Sequence, residues 1–125
     1  MFARGGRIGH VTVDSDDAWG MVAEHESAPV LTLQLNYLDR PARRRLLVNT
    51  ADTTIEADLI ARTLTIDGET TGFATEADDT YRRLHVAMLD GTGPAPATVA
   101  DAVATDELIG MIELSATTRR WVPRP

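Results

Sequence analysis

Four arginines crowd one short stretch, Arg40, Arg43, Arg44 and Arg45, just after a tyrosine at Tyr37. A guanidinium is a planar fork of N–H donors, so several that converge can hold a carboxylate or phosphate in bidentate fashion. Convergence is a question of backbone. In an extended strand Arg43 and Arg45 share one face and Arg44 takes the other. A common anion site therefore needs Arg40, Arg43 and Arg45 together. The structural alternative is that they pair with the abundant Asp and Glu at a sheet edge or subunit interface, since ion pairs of that kind are common.

The remaining reactive groups are sparser. All twelve basic residues are arginine and none is lysine, which excludes Schiff-base chemistry, a Ser-Lys dyad and a lysine proton donor. His10, His25 and His85 lie far apart, without the i, i+4 spacing or carboxylate company of a metal site, so no metal ligand is expected. Ser15, Ser27 and Ser115 lack a G-x-S-x-G context, which argues against hydrolysis. Asp14, Asp16 and Asp17 have no Gly-punctuated Ca²⁺ spacing and read as a solvated turn. Gly5, Gly6 and Gly9 have the wrong spacing for a G-x-G-x-x-G phosphate loop and precede a strand, so they also read as a turn. No catalytic or cofactor-binding residue is expected in this chain.

Composition narrows the class further. A chain of 125 residues fits one domain with its own core. Its net charge of −7 opposes binding to phosphate backbones, so nucleic acid is not an expected partner. Cysteine is absent, which removes disulfides and thiolate chemistry and is compatible with a reducing, cytoplasmic location. No apolar run nears the roughly 20 residues of a membrane span, and the first residues lack a signal-peptide core. A soluble protein with no membrane partner is the expectation.

The elements that position these groups follow from periodicity. Alternation predicts strands at 18–25, with Trp19, Met21 and Ala23 on one face, and at 30–37, where Leu31, Leu33, Leu35 and Tyr37 oppose Thr32, Gln34 and Asn36. Further strands are expected at 7–13, 44–49, 53–58 and 63–66, rich in β-branched residues. Turns fall at 26–29, 39–41, 49–52 and at Asp67-Gly68, where glycine readily takes a positive φ. After Phe73 the period lengthens: Tyr81, Leu84, Met88 and Leu89 predict a helix with Thr75 as N-cap and Gly91 past its end. A stiff connector at 91–96 follows. Thr98 and Asp101 then resemble a capping box opening a second helix, whose apolar phase slips and predicts a break near Ala104-Thr105. Strands followed by helices predict an α+β fold: two layers, a mostly antiparallel open β-sheet with helices packed on one face.

Taken in order, Asn36-Tyr37-Leu38-Asp39-Arg40-Pro41, the arginines Arg43 to Arg45, the strand 46–49 and Thr54-Ile55-Glu56 resemble the C-terminal domain of the Gfo/Idh/MocA family of NAD(P)-dependent oxidoreductases. The later segments are similar in order and spacing. Thr63 to Ile66 resemble that family's edge hairpin, residues 81–90 its helix before a Gly-Pro connector, and 101–120 its final helix. The resemblance covers nearly the whole chain. Thr50 and Thr53 depart from it, standing where the family usually has glycines in a G-x-x-G turn, so that hairpin needs another geometry or strain.

The resemblance implies a substrate-side and oligomerisation domain that is not catalytic alone. NAD(P), the nucleotide-binding domain, its lysine and the Asp/His-bearing helix would belong to the intact enzyme, with Met1-Phe2-Ala3 as the tail of that helix. Tyr37, Arg40 and Arg43 are then the expected substrate-binding residues, for a sugar or polyol. A homo-oligomer is expected through the open sheet face bearing Thr32, Gln34 and Asn36. The alternative is a stand-alone α+β module that binds an anionic small molecule or a protein partner through Arg40 and Arg43.

Overall fold

A computed structural model describes residues 1–10, 12, 14–76, 78–93 and 97–123. In chain order the elements are β1 (Phe2–Gly6), β2 (Ala18–His25), β3 (Ala28–Asn36), β4 (Arg45–Asn49), β5 (Thr54–Asp58), β6 (Thr63–Ile66), β7 (Glu69–Gly72), α1 (Asp79–Asp90) and α2 (Val99–Thr118). The α+β class, antiparallel pairing and open edges agree with the sequence expectation. The strands divide into two sheets, β1-β2-β3 and β4-β5-β6-β7. Each sheet belongs to its own compact unit: Met1–Asp39 with Ala97–Pro125, and Arg40–Pro96.

In the first unit, Trp19 lies opposite Leu35, Met21 opposite Leu33, and Ala23 opposite Leu31. Opposed residues of antiparallel strands share a face, so alternation in two strands yields one apolar surface. The chain reverses between β2 and β3 through Glu26 and Ser27, and Pro29 is tolerated within β3 because an edge strand leaves one side of its backbone unpaired. Helix α2 lies against β1. Ser115, fully buried, accepts from the Ala3 N–H at 2.9 Å and donates to the Arg120 carbonyl at 2.7 Å. The N–H of Val122 donates to the Met1 carbonyl at 2.8 Å, and the Met1 ammonium donates back to the Val122 carbonyl at 2.7 Å. Ala3 and Met21 are the buried apolar residues beneath the helix.

Two expectations in this unit need correction. The first strand is Phe2–Gly6, not 7–13; described residues of that stretch are loop, and Val11 and Val13 lie outside the described residues. Met1-Phe2-Ala3 is thus the start of a strand, not a helix tail. Gly5 is in that strand because the Trp19 ring lies across it: a Cβ there would sit 2.2 Å from Trp19 Cδ2. The helix break near Ala104-Thr105 is also absent. Instead of recapping, Thr105 donates its hydroxyl to the Asp101 carbonyl one turn back at 2.8 Å, and α2 runs on unbroken. The phase slip has a different cause: only the C-terminal half of α2 reaches a buried position, at Ser115, while Val99 and Val103 face solvent. The capping box is formed as expected, with Asp101 N–H donating to the Thr98 hydroxyl and Thr98 N–H to the Asp101 carboxylate.

The second unit is a four-stranded meander. Its register puts Leu46, Val48, Ile55, Ala57, Leu64 and Ile66 on one face. The β4–β5 turn avoids the glycine geometry altogether: Thr50 Oγ1 accepts from Thr53 N at 3.0 Å, and neither threonine has a positive φ. Asp67 and Gly68 do turn left-handed, φ 49° and 91°, as a two-residue hairpin between β6 and β7 requires. Helix α1 ends at Gly91 in the expected left-handed cap, but its N-cap is Asp78, not Thr75. The Thr75 carbonyl instead accepts from the Arg62 guanidinium. Of the expected 91–96 connector, residues 94–96 lie outside the described residues.

Candidate functional site

Arg45 settles one part of the arginine reading. It lies directly across from Asp58 in the β4–β5 ladder, and its Nε donates to Asp58 Oδ2 at 3.0 Å while its Nη1 reaches Glu56 Oε1 at 3.3 Å. The Asp58 carboxyl is held below its ordinary pKa, first by the Ala61 N–H, then by the Ile60 N–H and by Arg45, against the opposing effect of desolvation. A guanidinium so paired is not an arm of an anion fork. Arg40 and Arg43 lie on the loop before β4, Arg43 exposed and, among the described residues, without an ion pair. Tyr37 belongs to the other unit. Its N–H donates to the Asp17 carbonyl at 2.9 Å and its side chain is exposed.

The expected interface residues sit on the face of β3 opposite its leucines. Thr32 and Gln34 line a shallow depression with Phe2, Arg4, Ile8 and Val22. Arg4 is its one charged wall residue. Asn36 is on the same face by alternation, but its Oδ1 is engaged by the N–H groups of Leu38 at 2.7 Å and Asp39 at 2.9 Å. This Asx turn ends β3, so Asn36 shapes the exit from the strand.

One site residue was invisible to the spacing argument. Asp17, taken with Asp14 and Asp16 as a solvated turn, is 2% exposed. Its carboxylate accepts from Ile8 N at 2.7 Å and Gly9 N at 2.8 Å, while its own N–H donates to the Gly6 carbonyl at 3.1 Å. Successive backbone N–H groups form a ready anion cradle. Here the chain's own carboxylate fills it. The turn after β1 leads to β2 and not to a helix, and its Ile8 and Gly9 amides already have an anion, so this turn does not offer a pyrophosphate cradle. Asp14 behaves as a solvated turn residue and meets Arg7 at 3.3 Å on the surface. Its position immediately before an alternating strand was the only sequence cue that separated Asp17 from its neighbours.

His25 Nδ1 lies 2.9 Å from Ser27 Oγ in the β2–β3 turn. Among the described residues no three His, Asp or Glu side chains converge as metal ligands, and no helix is long and apolar enough to cross a membrane. No protein-family model, curated protein or solved structure matches this chain.

Proposed function

We propose that this chain is the substrate-side and self-association part of a Gfo/Idh/MocA-like NAD(P)-dependent oxidoreductase acting on a sugar or polyol in the cytoplasm. The observation that carries the reading is the one-sided layer of the first unit. Helix α2 covers β1 on one face, while the other face presents Thr32 and Gln34 amid Phe2, Ile8 and Val22 with no other element of the first unit over it among the described residues. A mixed apolar and polar sheet face suits an isologous two-fold contact, in which each copy offers the same patch. The ordered series of segments from Asn36 to Arg120 supports the family assignment. Hydride transfer and proton movement are assigned to the nucleotide-binding partner domain, in keeping with the Ile8 and Gly9 amides of the turn after β1 being occupied by Asp17. Arg40 and Arg43 supply guanidinium donors for an oxygen-rich substrate.

Light scattering at micromolar concentration tests this directly. A dimer that Val22→Arg converts to monomer is expected; a monomeric wild type overturns the self-association. NAD(P)H titration gives no binding on this reading, and a micromolar dissociation constant overturns the division of labour.

A further inference from the structure

The sheet of the first unit is wider than the helix that covers it. Strands lie about 4.8 Å apart and a helix is about 10 Å across, so one helix shields about two strands. Helix α2 is anchored over β1 through Ser115 and Ala3. The leucine row of β3 is left half-open: Leu31 is 41% exposed, Leu33 40% and Leu35 59%, all on the helix side of the sheet. Between that row and the flank of α2 at Leu108 and Ile112 runs a trough with two hollows, about 240 and 360 Å³, that meet at Met21.

Carboxylates outnumber cations on its rim, where the second hollow also holds His25 and the Met1 ammonium, the latter bonded to the Val122 carbonyl. Asp16 and Glu113 stand at one hollow, Glu24 and Glu107 at the other, and no arginine lines either. None of the four carboxylates has an ion-pair partner among the described residues. Leu31 to Leu35 span about 14 Å of strand, the length of roughly nine helical residues, which matches anchors at i, i+3, i+4 and i+7 of a docked helix.

We propose that this trough receives an amphipathic helix of a separate protein, its apolar stripe on the β3 leucines and α2, with lysines or arginines beside the stripe meeting the acidic rim. Apolar fit sets the affinity, and the rim charges select the sign of the partner. This inference stands independently of the oxidoreductase reading.

The test uses the whole chain and a synthetic peptide of about 14 residues with leucines at i, i+3, i+4 and i+7 flanked by lysines, beside a version with glutamates for lysines. Binding is followed by tryptophan fluorescence and by amide shifts. The lysine peptide should bind in the micromolar range and shift Leu33 and Ile112, with the glutamate version at least about tenfold weaker. Leu33→Glu should weaken binding at least about tenfold. If that variant does not fold, the more exposed Leu35→Gln makes the same comparison. Glu107→Gln with Glu113→Gln should weaken it by about three- to tenfold and flatten its salt dependence. Absence of binding at about 1 mM, equal affinity for both peptides, or an unaltered affinity in the leucine variants overturns the proposal.

Discussion

Removing one oxygen atom, by Ser115→Ala, tests how the first unit is held together. Ser115 Oγ is fully buried and serves two backbone groups, the Ala3 N–H at 2.9 Å and the Arg120 carbonyl at 2.7 Å. The alanine variant leaves the Ala3 N–H buried without a partner, at about 1–3 kcal/mol, and removes a further bond of about 1 kcal/mol at Arg120. The expected loss is thus about 2–4 kcal/mol, a large share of the 5–15 kcal/mol that typically separates folded from unfolded states. Both tryptophans, Trp19 and Trp121, lie in the first unit, so their fluorescence reports on that unit during urea unfolding. With a slope near 2 kcal/mol per molar, the midpoint should fall by about 1–2 M with the slope unchanged. The Ala3 amide should also lose its protection from hydrogen exchange. A stability change below about 0.5 kcal/mol, the size of an ordinary surface substitution, or an Ala3 amide that exchanges as slowly as before, would refute the reasoning.

Two further outcomes are expected. Gly5→Ala places a methyl group 2.2 Å from Trp19 Cδ2, so the ring must move; a loss of about 1–3 kcal/mol and a red-shifted emission should follow, and unchanged stability and emission would contradict the close approach. The Thr98 hydroxyl, and next its backbone N–H, hold the Asp101 carboxyl below its ordinary pKa. A carboxylate with a lowered folded-state pKa stabilises above its unfolded value of about 4, and that contribution is lost as pH falls through the folded value. Helical circular dichroism of the wild type should therefore decline more steeply below about pH 4 than that of Asp101→Asn, and superimposable acid profiles would remove the capping box from the account.

Local chemistry was legible; partnership was not. The capping box of α2, the Asp67-Gly68 hairpin and the strands at 18–25 and 63–66 each depend on residues close in sequence, and each is where the pattern puts it. Alternation states which residues share a face but not which strand comes alongside, so the division into two sheets carried no signal. The first strand was missed for a related reason. Three of the five residues of Phe2–Gly6 are glycine or charged, and it is a strand because Ala3 faces Ser115 and Gly5 lies under Trp19. Among the candidate residues, the sequence left Arg45 open between an anion fork and an ion pair, because its partners are 11 and 13 positions away. Asp17 was hidden in a run of three aspartates whose burial differs only in three dimensions.

The discontinuity of the first unit has a consequence for the order in which the chain acquires its shape. During synthesis, β1, β2 and β3 emerge about sixty residues before the helix that closes over them, so the indole of Trp19 and the thioether of Met21 must wait for a late-arriving lid. The segment 40–96 has no such delay, because every strand of its meander pairs with the next one translated. Segment 40–96 should therefore settle before the first unit is complete, with the apolar surface of β2 and β3 exposed to chaperones until α2 has been made.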